Sequence, residues 1–339
     1  MKEVLMPQDL LKLVDRKDLD AESSGNLIQE LLNPANEAAW KGAILGSWAC
    51  KGETAEELVG AARVILAKGL PLDCDGNVLD TCGTGGDGWK TFNISTATAI
   101  LAAACGVRVV KHGNRGVSST SGSADVLLKL GVNLDAGPVH QRECLDKAGV
   151  TFCLAPRHYP LLAALLPLRK ALGTRTIFNA LGPLLNPARA RRQLLGVGRA
   201  SWMRPIAEAA MKLGNERTVC VHGSDGLDEV TLSGPSTLVI AENGGIHEVT
   251  VTPQTFGLPI IPTSAMAVDG PEASALRIRE ILAGKEDPGA GIVAANTAVA
   301  LWTAGMATDW TEAITKVMAL LKSGKALETL NRWATVSQG

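Results

Sequence analysis

The feature that most constrains the fold of this chain is a change of pattern near residue 70. Residues 1–69 carry helical signals only. Leu10, Leu11, Leu13 and Val14 fit one helical face, and Leu27, Ile28, Leu31 and Leu32 fit a second that Asn33-Pro34 closes. Ala38, Ala39, Trp40, Ala43, Ile44 and Trp48 fit a third. Thr54 with Glu57 three residues on has capping-box spacing and opens a fourth helix, which Lys68-Gly69-Leu70-Pro71 ends. After residue 75 the short β-branched runs Val78–Asp80, Val107–Val110 and Thr218–Val221 alternate with helix-period stretches. Strands alternating with helices predict parallel pairing in an α/β sheet. Residues 230–251 read as a patch of short strands (VTLSG, STLVIAENGG, IHEVTV), and Ala290–Ala304 and Thr311–Leu321 read as helices. The stretch from about 165 to 192 is more helical and more basic than its surroundings and is expected to leave the α/β domain.

Composition excludes several classes. The 339 residues suggest about two domains at roughly 150 residues each. A formal charge of −1 argues against a broad nucleic-acid-binding face, and 4% aromatic residues argue against a base-stacking surface. The seven cysteines include no CxxC pair, and several sit in apolar runs, so they read as reduced residues of a cytosolic protein. The N-terminal stretch breaks into charge too early for a secretory signal, and no apolar run reaches the roughly 18 residues of a membrane span.

Four segments carry groups suited to chemistry. Asp80-Thr81-Cys82-Gly83-Thr84-Gly85-Gly86-Asp87-Gly88 follows a predicted strand and precedes Asn93-Ile94-Ser95-Thr96, the expected start of a helix. Its glycines let backbone N–H groups approach an anion, and the helix N-terminus adds free donors. Neither a Walker A loop nor GxGxxG is present, and the bland alternative is a glycine-rich turn with a Ser cap. Lys111-His112-Gly113-Asn114-Arg115 follows the strand Val107–Val110 and leads into Ser118 and Ser119. Its charges, amide and hydroxyls suit a phosphorylated ligand, or else a solvated loop. Asp225-Gly226-Leu227-Asp228-Glu229 follows a third strand and offers adjacent carboxylates of the kind Mg²⁺ accepts, or a charged surface turn. The fourth segment runs from Arg169 through Arg175-Thr176-Ile177-Phe178-Asn179 to Leu181-Gly182-Pro183-Leu184. Its arginines suit a carboxylate, or else pair with surface acids.

GTGGD with NIST, KHGNR with VSS and SGSAD, RTIFN with LGPL, then DGLDE, in this order, closely resemble the anthranilate phosphoribosyltransferase family nearly end to end. The resemblance implies transfer of a phosphoribosyl group from phosphoribosyl diphosphate to anthranilate, with release of diphosphate, in tryptophan biosynthesis. It implies an α/β fold: a small N-terminal helical domain plus a larger α/β domain with a mostly parallel sheet. On this reading the helical domain holds 1–70, with 165–192 returning to it. The α/β, phosphoribosyl diphosphate-binding domain holds 74–164 and 193–339. A homodimer through the helical domain is also implied, and a separate amidotransferase partner stays open.

By the same resemblance Gly83, Gly85, Gly86, Asp87, Thr91, Asn93, Ser95, Thr96, Lys111, Ser118 and Ser119 bind phosphoribosyl diphosphate. Ser95, Asp228 and Glu229 hold Mg²⁺, the implied cofactor. Gly83, His112, Asn114, Tyr159, Arg169, Gly182 and Pro183 face anthranilate. One departure stands out: Arg157-His158-Tyr159-Pro160 puts Tyr159 where many relatives carry histidine, with His158 one position early. Aromatic amines are unprotonated at neutral pH, so no acid or base residue is assigned, and Lys111, Asp228 and Glu229 give electrostatic support to a leaving diphosphate. The alternatives are a pyrimidine nucleoside phosphorylase of similar architecture and a non-catalytic nucleic-acid-binding paralogue.

Overall fold

The computed structural model describes residues 8–75, 77–115, 122–135 and 137–339. The N-terminal layer is α1 (Gln8–Val14), α2 (Ala21–Leu32), α3 (Ala38–Lys51) and α4 (Ala55–Lys68). In α1, Leu10 and Leu13 turn inward, whereas Leu11 and Val14 are exposed, so only part of the expected apolar face is covered. Asn33 ends α2 with its N–H on the Gln29 and Glu30 carbonyls. The Thr54–Glu57 capping box forms, and Glu57 does more than cap. Its buried carboxylate also accepts from Leu19 N at 2.9 Å and Trp48 Nε1 at 3.1 Å and pairs with Lys51 at 3.0 Å. One buried acid thus ties the entry of α4 to α3 and to the turn before α2, and each of its contacts offsets part of its desolvation.

Seven strands form one sheet: β1 (Leu79–Gly83), β2 (Val109–Gly113), β3 (Val150–Leu154), β4 (Arg192–Gly196), β5 (Arg217–Gly223), β6 (Ser236–Glu242) and β7 (Gly245–Val251). Their order is β3-β2-β1-β4-β5-β6-β7. The first five are parallel, and the β5–β6 and β6–β7 pairings are antiparallel. Asn243 and Gly244, at φ 50° and 75°, make the tight turn of the β6–β7 hairpin, which needs positive φ at both positions. The expected strand at Val230–Gly234 is instead a loop. There the Asn296 side chain stands in for a neighbouring strand: it accepts from Val230 N at 2.9 Å and donates to Val230 O at 3.0 Å.

Each face of the sheet is covered, as parallel strands require. One face packs Val109, Val150, Leu194, Val219 and Leu238 against α5 (Ile94–Ala104) and the C-terminal helices. On the other, Leu195, Val197, Cys220 and Val239 share a cluster with Ile28, Leu58 and Ile65 of the N-terminal helices. Leu165, Ile177, Phe178, Leu181 and Leu184 join that same cluster. The segment between β3 and β4 therefore packs with the N-terminal helices, because its apolar residues find their cover there. No helix among the described residues is long and apolar enough to cross a membrane.

Candidate active site

Chain order reverses between β1 and its neighbour β4, and ligands of open α/β sheets bind beyond the carboxyl ends of strands at such a point. β1 runs out there into the glycine loop. Gly85, Gly86 and Gly88 have φ of 64°, 77° and 86°, a region that residues with a Cβ seldom adopt. The loop is anchored on three sides. Thr84 N donates to Gly196 O at 2.8 Å, and Gly198 N donates to Thr84 Oγ1 at 2.9 Å. Gly85 N donates to Asp228 Oδ2 at 3.1 Å. The Arg175 guanidinium donates to Gly86 O.

Gly196 and Gly198 belong to this site, although neither is among the residues expected from sequence. A Cβ on Gly196 would lie 1.9 Å from Asp228 O, and one on Gly198 would lie 2.8 Å from Gly85 O. The signal is the pair of glycines in Leu195-Gly196-Val197-Gly198, where two loops must pass backbone against backbone. Arg175 is expected, with Arg169, to bind a carboxylate. Instead it stands over the Trp202 ring at 5.8 Å and serves the glycine loop.

The loop after β5 divides its acids between two tasks. Asp225 is structural, accepting from Thr231 Oγ1 at 2.7 Å, Ser233 Oγ at 2.8 Å and the Thr263 hydroxyl. Asp228 and Glu229 turn toward the glycine loop, where the charge of Asp87 acts on Asp228. Burial, then the charge of Asp87, pushes Asp228 up to about 7. Burial and the neighbouring Asp228 raise Glu229 well above the usual carboxylate range. Burial raises Asp87 too. A nearby cation is Lys111, fully buried in the middle of β2, with its ammonium on Thr81 O and on Ser95 Oγ at 3.1 Å. Burial lowers its pKa, while the charges of Asp80, Glu229 and Asp228 raise it.

Asn93 caps α5, its Oδ1 accepting from Thr96 N at 3.0 Å and from Ser95 Oγ at 3.3 Å. The backbone N–H of Ser95 reaches Glu229. Gly83, Gly85, Gly86, Asp87, Asn93, Ser95, Lys111, Asp228 and Glu229 are thus linked in one set of contacts. Thr91 lies at its edge, paired across a single bridge with Ala267.

Three of the expected residues are buried. Thr96 has a buried hydroxyl with no hydrogen-bond partner among the described residues, and its N–H is taken by Asn93. Lys111 does not reach outward, so its charge acts from beneath the loop through Ser95. Tyr159 is core rather than pocket wall. It is 3% exposed, its hydroxyl donates to Leu185 O at 2.8 Å, and its ring covers Gly69, where a Cβ would lie 2.2 Å away. His158 is buried as well, with Nδ1 2.7 Å from Leu70 O, so it pins the linker after α4. Ser118 and Ser119 lie outside the described residues.

Asn114 is exposed just past β2. Arg169 is half-buried with its guanidinium 5.4 Å above the Phe178 ring, and among the described residues no carboxylate lies within ion-pair distance of it. His112 and the Gly182-Pro183 turn are in direct contact, with His112 Nε2 2.7 Å from Gly182 O.

Two family domains match the chain: the glycosyl transferase family helical bundle domain over residues 8–69 and the glycosyl transferase family a/b domain over 75–327. The anthranilate phosphoribosyltransferase of Caldanaerobacter subterraneus subsp. tengcongensis is 41% identical, covering 96% of each chain. That of Aeromonas salmonicida is 42% identical, covering 98% of this chain and 99% of its own. Among solved structures, the anthranilate phosphoribosyltransferase of Thermus thermophilus superposes with a TM-score of 0.92 at 35% identity, over 98% of this chain and 100% of that one. The Saccharomyces cerevisiae enzyme in complex with PRPP and Mg gives 0.87 at 28% identity, over 98% and 99%. The matches run over nearly the whole length of these relatives, and the chain belongs to the anthranilate phosphoribosyltransferase family.

Proposed function

We propose that this chain transfers the phosphoribosyl group of phosphoribosyl diphosphate to the amine of anthranilate, releasing diphosphate. The observation that carries the reading is the joining of the positive-φ glycine loop to the Asp228-Glu229 pair, at the point where strand order reverses. Loss of anthranilate fluorescence, dependent on phosphoribosyl diphosphate and Mg²⁺, tests it directly. No observation favours phosphorolysis, and the balanced charge gives no support to a nucleic-acid-binding paralogue.

The donor set fits Mg²⁺. Asp87, Asp228 and Glu229 crowd three carboxyls beside one ammonium, and with the Ser95 hydroxyl they offer only hard oxygen atoms. Asp228, Glu229 and Ser95 are the proposed holders, with Asp87 alongside. Once bound, the ion supplies Lewis-acid stabilisation of charge on the diphosphate. The glycine loop lets its backbone lie close against the phosphates, and Lys111 adds a positive field from below. The attacking amine needs no base, so the remaining work is to hold it against the ribosyl carbon. That task falls to Asn114, Arg169 and the Gly182-Pro183 turn, with closure of the helical layer shielding the site. A homodimer through the helical layer goes with this reading, and light scattering checks it.

The acid cluster gives a pH signature. A carboxyl whose folded pKa is raised holds its proton in the folded state while the unfolded chain has lost it. The protein without metal therefore loses stability as pH rises from the ordinary carboxylate range through about 7, the value for Asp228. Mg²⁺ with diphosphate is expected to raise Tm more at pH 8 than at pH 6. Thermal melts across that range check it, and an equal shift at both pH values contradicts it.

Gly86 supplies a second test. A Cβ there meets the Arg175 guanidinium at 2.6 Å and sits at φ 77°, so Gly86→Ala strains the loop and displaces its anchor. The left-handed conformation costs a residue with a Cβ about 1–2 kcal/mol. Isothermal titration is expected to show phosphoribosyl diphosphate binding weakened about tenfold, in line with that cost.

A further inference from the structure

A buried polar assembly lies under the Gly182-Pro183 turn. Asp80 is fully buried in β1, and His112 lies in the adjoining strand β2 with 5% exposure. Asp80 Oδ2 is 2.5 Å from His112 Nδ1, and its Oδ1 accepts from His112 N at 3.2 Å. The other ring nitrogen of His112 is 2.7 Å from Gly182 O. Gln193, in β4, donates from Nε2 to Pro183 O at 2.9 Å and to Asp80 Oδ2 at 3.4 Å. Asn215 fixes the orientation of that amide by donating to Gln193 Oε1 at 2.6 Å. Both carbonyls of the turn are therefore held from below, and both holders meet at Asp80.

Asp80, Cys82 and His112 also lie close enough together to suggest a metal site. The hydrogen bonds argue against it. A metal needs a free imidazole lone pair, and both ring nitrogens already face oxygen acceptors. The Cys82 thiol, raised by burial and by Asp80, stays protonated.

We infer that Asp80 is a positioning residue for the second substrate, holding His112 as a doubly donating imidazolium that pins the Gly182-Pro183 turn. A neutral imidazole has one N–H, so one ring nitrogen would face an oxygen lone pair to lone pair. Only the protonated ring donates to Asp80 and Gly182 together. The electrostatics agree: burial lowers the pKa of His112, but the charge of Asp80 and the hydrogen bonds to Asp80 and Gly182 O together raise it, and against its own burial Asp80 is lowered by the charge of His112. The inference rests on the proposal that this turn faces anthranilate.

The test uses the full chain with steady-state kinetics, each substrate varied separately. Asp80→Asn keeps the shape and removes the charge. It is expected to raise KM for anthranilate about tenfold while KM for phosphoribosyl diphosphate stays within about twofold. In a His112→Gln background Asp80→Asn is expected to add nothing, because both changes break one chain. Equal losses for the two substrates, or additive losses in the double variant, overturn the inference. Nitrogen-15 NMR of the wild-type protein at pH 7.5 gives a second reading that does not depend on the variant folding. The His112 ring is expected to be doubly protonated, and a neutral ring also overturns it. The proposed function fails separately, if the wild-type chain leaves anthranilate unconsumed.

Discussion

Asp228→Asn is expected to lower kcat/KM by at least about a hundredfold at limiting Mg²⁺, with Glu229→Gln close behind. The size follows from how many contacts meet at one carboxylate. Asp228 Oδ2 accepts the N–H of Gly85, the charge of Asp87 acts on its carboxyl, and its own charge acts on Glu229 and Lys111. An amide keeps the volume and can still accept from Gly85, so the loop should fold. What disappears is a negative charge in an enclosed site where the leaving diphosphate and its cation must be held together. Removing one group that stabilises developing charge costs other enzymes about 10²–10³ in rate, and the same order is expected here. Raising the Mg²⁺ concentration should recover part of the loss for Asp228→Asn, since the remaining oxygens of Asp87, Glu229 and Ser95 still offer donors. Activity across a Mg²⁺ titration measures this. A wild-type profile would remove Asp228 from the metal assignment.

The legibility of this site follows the range of the forces involved. Local signals read directly: the Thr54–Glu57 box, the Asn33 stop and the helix start at Asn93 each depend on hydrogen bonds within a few residues. Positive φ at Gly85, Gly86 and Gly88 is legible because four glycines within six residues suit a tight left-handed turn and little else. Side-chain direction is not legible. Tyr159 is expected at the pocket because it stands in the register where many relatives carry histidine, but packing against Gly69 turns it inward. Val230–Gly234 has the composition of a strand, yet the amide of Asn296, 66 residues further on, takes its backbone. Arg175 and Arg169 look equivalent in sequence. They differ only in what lies within reach, Gly86 O for one and the Phe178 ring for the other. Asp80 shows nothing beyond an acid in an apolar strand, since its partners His112 and Gln193 lie in the strands on either side.

Arg169→Ala is expected to raise KM for anthranilate by about ten- to 150-fold while leaving phosphoribosyl diphosphate binding nearly intact. The reason is a division of labour. The glycine loop and the acid cluster already account for diphosphate and ribosyl groups, and Arg175 is committed to the loop. Arg169 has no carboxylate within ion-pair distance among the described residues, and burial holds its pKa below the usual value. A partly desolvated guanidinium without a counter-charge is poised to gain from one. Anthranilate supplies a carboxylate beside its amine, and the planar fork of arginine matches both oxygens. A charge-assisted pair of this kind contributes roughly 1.5–3 kcal/mol, which sets the range of the expected loss. If the same contact orients the amine toward the ribosyl carbon, kcat falls as well. Arg169→Lys should restore only part, because an ammonium keeps the charge but loses both the fork and the stacking over Phe178 at 5.4 Å. Kinetics with each substrate varied in turn decide the point: a defect confined to the phosphoribosyl diphosphate KM would place Arg169 in the other pocket.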